Sequence, residues 1–131
     1  MMIGNRALLD TCAAVALLNG DAAIAHLLKG IETPVLCVPV LGELHYGALN
    51  SKHSAENISR IDAFANTCEM AQVNEATSRE YAALKIELRK KGRPIPENDI
   101  WIAALASQYG LALITKDAHF EAIVGLDIFS W

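Results

Sequence analysis

Val35-Leu36-Cys37-Val38 is apolar at every position, so a strand built from it has no face to offer water. Such a strand must be covered on both sides, as happens in parallel sheets that carry helices on both faces. Pro34 and Pro39 bound the run, and Pro39 suits the opening of a helix. Two further apolar runs, 7–9 and 111–114, read as strands, and 70–73 and 126–129 as shorter ones. Segments with helical spacing fall between them: 11–18, 22–29, a stretch carrying Leu41, Leu44, Ala48 and Leu49, then 54–67, 75–91 and 98–109, with a short helix at 118–124. Strand and helix alternate throughout. The expected fold is therefore α/β, a three-layer α/β/α arrangement around a central, mainly parallel sheet of four to five strands, in one domain spanning 1–131.

Four acidic residues stand where these runs end or where helices begin. Asp10 follows the first strand and Asp117 follows the 111–114 strand by three residues. Glu43 falls in the first turn of the helix after the second strand, and Asp99 in the first turn of the helix that leads into the 111–114 strand. In open parallel sheets ligand sites form beyond the carboxyl ends of the strands. The topology thus brings all four acids to one edge. Taken singly, each has a plain reading as a helix cap or as a charge that complements a helix dipole. Taken together they form a crowded set of carboxylates that repel one another unless a cation joins them. Hard oxygen donors of this kind suit Mg²⁺ or Mn²⁺, and the chemistry such ions support is phosphodiester hydrolysis.

The net charge of −4 argues against a protein that holds nucleic acid by bulk positive charge, though a metal in the site changes the local sign. With 53% hydrophobic but only 6% aromatic residues, the core must be packed from aliphatic side chains and alanine. The cysteines Cys12, Cys37 and Cys68 are odd in number and match no zinc spacing, which points to a reduced, cytoplasmic setting. No cationic and apolar leader stands at the start, and no apolar run approaches the length of a membrane span.

At the acidic positions the sequence resembles the PIN-domain family, and within it the VapC-type toxins of toxin–antitoxin pairs. The matching stretches are Leu8-Leu9-Asp10-Thr11, the run from Leu41 through Gly42-Glu43-Leu44 to Ala48, the run from Gly92 through Asn98-Asp99-Ile100-Trp101 to Ala104, and Leu113-Ile114-Thr115-Lys116-Asp117-Ala118-His119-Phe120. The resemblance implies a Mg²⁺- or Mn²⁺-dependent endoribonuclease with Asp10, Glu43, Asp99 and Asp117 on the four acidic positions. Thr11 and Thr115 would orient a water or a carboxylate, with Asn98 a polar neighbour of Asp99. It also implies an RNA substrate, a homodimer and a VapB-like antitoxin that blocks the site. Cys12 stands where family members often carry asparagine.

Candidate RNA contacts lie around this set. Lys116 adjoins Asp117, and His119 is two residues beyond it, where the plainer reading is a partly exposed helix residue. Lys85, Arg89, Lys90, Lys91 and Arg93 form the densest positive segment, either a solvated helix end or a phosphate-contacting ridge in which Arg89 and Lys90 take part. Glu97 reads as a loop or cap residue. Trp101 reads as core or dimer surface, and Trp131 as a frayed terminus. Two other functions share the pattern. A catalytically silent binding module of the same fold would fail to bind Mg²⁺ or Mn²⁺. A receiver-like signalling domain would want paired acids near the first strand, and Asp10 has no acidic neighbour.

Overall fold

The computed structural model describes residues 4–131; the very start of the chain, on which the leader reading partly bears, lies outside them. Five strands form one sheet in the order β3-β2-β1-β4-β5. They are β1 (Arg6–Leu9), β2 (Thr33–Cys37), β3 (Glu69–Ala71), β4 (Ala112–Ile114) and β5 (Ile128–Phe129). Every pairing is parallel, with Leu8 opposite Val35 on one side and opposite Leu113 on the other. The central strands are sealed on both faces: Leu8, Leu9, Val35, Leu36, Cys37, Leu113 and Ile114 are wholly inaccessible to solvent. That is the burial a run with no polar face requires. Burial also pushes the Cys37 thiol up to about 12, so this cysteine behaves as a small core residue.

The helices are α1 (Thr11–Leu18), α2 (Ala22–Leu27), α3 (Val38–Leu49), α4 (Ser54–Ala65), α5 (Glu75–Lys90) and α6 (Glu97–Tyr109), with a single 3₁₀ segment at Ala118–Ala122. Helix α6 is the most deeply buried: Ile102, Ala103, Ala104 and Leu105 have no solvent exposure. Its small side chains let it lie close to α5, where Tyr81 stacks on Trp101 with ring centroids 3.9 Å apart. Trp131 is half-buried against the core, and Lys116 Nζ lies 4.8 Å from the centre of its ring.

One boundary differs from the sequence reading. Val38 closes no strand; it opens α3, with Pro39 in the first turn, where its missing N–H would have had no partner. The helix starts early enough that Glu43 falls in its second turn, leaving the first turn without an acid. The segment after β4 is 3₁₀ and stops at Ala122, short of the α-helix expected to 124.

Candidate active site

Asp10 leaves β1 at the carboxyl edge of the sheet and is at once the N-cap of α1. Its Oδ1 accepts the Ala13 N–H at 2.9 Å, and its own N–H donates to the Ile114 carbonyl at 3.2 Å. The side chain is only 4% exposed. The Thr115 hydroxyl donates to Asp10 Oδ2, while the Asp117 N–H donates to the same hydroxyl at 2.9 Å. Thr115 therefore links the turns that follow two adjacent strands. The Cys12 thiol donates to Asp10 as well, with Sγ 3.0 Å from Oδ1 and 3.2 Å from Oδ2. Burial raises that thiol above its ordinary value, and the Asp10 carboxylate raises it further.

Asp117 caps the 3₁₀ segment through the His119 N–H at 2.9 Å. The cap folds His119 back over the acids. Its Nδ1 lies 2.9 Å from Asp117 Oδ1 and 3.4 Å from Asp99 Oδ2. Burial pushes the Asp99 carboxyl above the usual range; the hydrogen bond from His119 opposes this, and the charges of Asp117 and Glu43 add to it. Glu43 reaches the same cleft from α3 and is held there by Asn98, whose Nδ2 donates to Glu43 Oε1 and to the Pro39 carbonyl at 3.1 Å.

Asp10, Glu43, Asp99 and Asp117 thus border one cleft of about 820 Å³, with Thr11, Asn98 and His119 on its walls. Asp99, Asp117 and His119 are the tight group, with one donor atom from each lying within 4.8 Å of the others. Two carboxylates and an imidazole at this spacing, with two further carboxylates beside them, are a donor set of the kind that holds a divalent cation. Burial raises Asp99 most, and the charges of Asp117 and Glu43 at the same spot raise it further.

Not every sequence candidate joins the site. Glu97 opens α6 but turns away to pair with Lys85 at 2.5 Å and to accept from Tyr81. Lys91 is held by Glu87 and by the Ala122 carbonyl. Arg89 borders a different cavity, with Pro94 and Ile95. Arg93, by contrast, shares a cavity of about 360 Å³ with His119, a juxtaposition of positions 26 residues apart that the positive run alone could not single out. Lys116 is exposed beside the site.

A PIN-domain family model matches residues 7–126. Ribonuclease VapC2 of Haemophilus influenzae is 33% identical over 99 residues, 73% of this chain and 75% of that protein. The tRNA(fMet)-specific endonuclease VapC of Shigella flexneri is 26% identical over 127 residues, 95% of this chain and 96% of that one. Among solved structures, VapBC2 from Rickettsia felis bound to a DNA fragment from its promoter superposes with a TM-score of 0.88 at 28% identity, covering 96% of this chain and 98% of that chain. Sheet order, acidic edge and sequence agree, and the chain belongs to the PIN-domain family, in its VapC branch.

Proposed function

We propose that this chain is a metal-dependent endoribonuclease, the toxin of a toxin–antitoxin pair, and that Asp10, Glu43, Asp99 and Asp117 are its catalytic acids. The observation that carries the reading is the gathering of these four carboxylates round one cleft beyond the carboxyl ends of a parallel sheet. Ribonucleases and a transfer-RNA endonuclease among its relatives support the same chemistry.

Asp99 and Asp117 would hold a Mg²⁺ or Mn²⁺ ion, with Asp10 and Glu43 completing its surroundings. Such an ion, when bound, lowers the pKa of water and stabilises negative charge on a phosphoryl oxygen. The chain's own residues do the positioning. Asn98 fixes Glu43 by holding it to the start of α3. Thr115 fixes Asp10 relative to the turn that carries Asp117. His119 stands at the rim, its Nδ1 engaged by Asp117 and Asp99, and with the exposed Lys116, Arg89 and Lys90 it would meet the RNA outside the cleft. Oriented carboxylates with their partners already in place need little rearrangement when substrate arrives.

The same reading gives the chain a VapB-like antitoxin, since VapBC complexes are among its structural neighbours, and a cytoplasmic setting in keeping with the absence of a helix long and apolar enough to cross a membrane among the described residues. It also makes the chain a homodimer. Val38, Tyr46 and Leu49 leave an apolar stripe exposed along α3, and a second copy would cover it.

The test is cleavage of total cellular RNA by wild type and Asp99→Asn in Mg²⁺, Mn²⁺ or chelator. Discrete cuts that need metal and vanish in the variant are expected. Equal, metal-independent patterns from both proteins would leave a silent binding module of the same fold.

A further inference from the structure

A second cavity of about 260 Å³ lies between α1, α3 and α4, and it shares Thr11, Val15 and Glu43 with the acid cleft. Its walls are aliphatic: Val15 and Leu18 from α1, Leu44 from α3 and Ile61 from α4. Gly47, with no side chain, leaves room in the α3 wall, and a Cβ built there meets nothing within 4 Å. Polar groups stand at a few points only. Arg60 commits one nitrogen to the Leu18 carbonyl at 2.7 Å, which leaves the rest of its fork free. Asn57 donates to Ser51, so its amide oxygen stays available. Thr11 carries the one buried side-chain polar atom without a hydrogen-bond partner among the described residues.

Apolar walls with a few convergent hydrogen-bonding groups are what a planar, polar-edged ligand needs. We propose that this cavity is a nucleobase pocket, which takes one unstacked base of the RNA strand next to the phosphate held at the acids and so sets which sequence is cut. The proposal rests on the ribonuclease reading. Continuity with the cleft argues for it, because Thr11 and Glu43 border both spaces, so one strand can reach both. Charge argues for it too. A chain of net charge −4 gains from contacts that do not depend on phosphates, and sequence-specific RNA recognition buries splayed-out single-stranded bases.

The experiment fills the pocket with Gly47→Leu. The position is in mid-helix and clear of neighbours, so the fold should persist, as circular dichroism and an unchanged Mn²⁺-induced rise in melting temperature would verify. Arg60→Ala is the second variant, because it removes the polar edge without filling the space. Cleavage sites in an RNA pool are mapped by sequencing for wild type and both variants. The expected result is a KM raised about tenfold or more by Gly47→Leu, the scale of one lost base contact, with a flattened base preference at one position beside the cut in both variants. Unchanged KM and cut-site profile in both variants would overturn the pocket while leaving the nuclease intact. So would unchanged RNA cleavage with lost inhibition by the antitoxin, which would give the cavity to a protein side chain. A wild type that cuts no RNA refutes the ribonuclease reading itself.

Discussion

Asp99 is the acid of the cleft whose carboxyl is displaced from its ordinary value. Its folded value lies above the ordinary aspartate value because burial, and then the Asp117 and Glu43 charges, disfavour ionisation more than His119 favours it. Between the unfolded and the folded value the native state holds the extra proton, so stability falls as pH rises through that window and stays reduced above it. At neutral pH in chelator, Asp99→Asn should therefore melt higher than wild type, and the gap should close once pH drops below the ordinary aspartate value. Adding Mn²⁺ should reverse the order, since an ion at about 100 times its Kd stabilises the wild type by about 2.7 kcal/mol and the variant by less. Thermal melts at two pH values, with and without Mn²⁺, check both signs. The acid itself was legible from its place at a helix start. Its histidine neighbour was not: His119 stands 20 positions away, and only the cap that Asp117 makes on the 3₁₀ segment folds the ring back over the cleft. Nor could spacing reveal that Thr115 links Asp10 to the Asp117 turn, because that contact spans 105 positions.

Among the elements, the strands read most truly from sequence. Runs without a polar face have one fate in a small α/β protein, and β1, β2 and β4 all lie at the middle of the sheet. Helix starts were less legible. Val38 is β-branched and continues an apolar run, so nothing local separates it from β2; it joins α3 because Pro39 fits only the first turn. Along α3, Leu44 and Ala48 are buried while Tyr46 is 73% and Leu49 67% exposed. Two large apolar side chains three positions apart on one helix mark a face that needs cover. The double variant Tyr46→Glu/Leu49→Glu should lower the mass measured by light scattering at micromolar concentration from two chains to one, while circular dichroism stays unchanged. An unaltered dimer mass would place the contact elsewhere.

On the scale of the whole molecule the distribution of charge matters more than its total. Of 11 lysines and arginines, Arg6, Arg79, Lys85 and Lys91 are committed to carboxylates of the chain itself. Arg89, Lys90, Arg93 and Lys116 have no such ion pair among the described residues. Seven of the 11 carry no ion pair with a carboxylate among the described residues, so RNA binding should show a measurable salt dependence. Each phosphate contact to a single strand contributes about −0.7 to the slope of log K against log salt, so Arg89→Ala/Lys90→Ala should make the slope shallower by about 1.4. A filter-binding series across salt concentrations reads this directly, and an unchanged slope would make these two residues a solvated helix end. Composition and net charge led to the expectation of a site that does not rely on bulk positive charge; which cations stay free was not legible in sequence, because the pairs with Glu69 and Glu97 form only across the folded chain.

The cleft draws its walls from both ends of the chain. Asp10 follows the first strand made, Asp117 follows the fourth, and β4 must slot in beside β1 before the two acids stand near each other. A ribosome making this protein therefore holds no complete acid cleft until the segment that carries Asp117 has emerged. Until then the message under translation is safe from its own product.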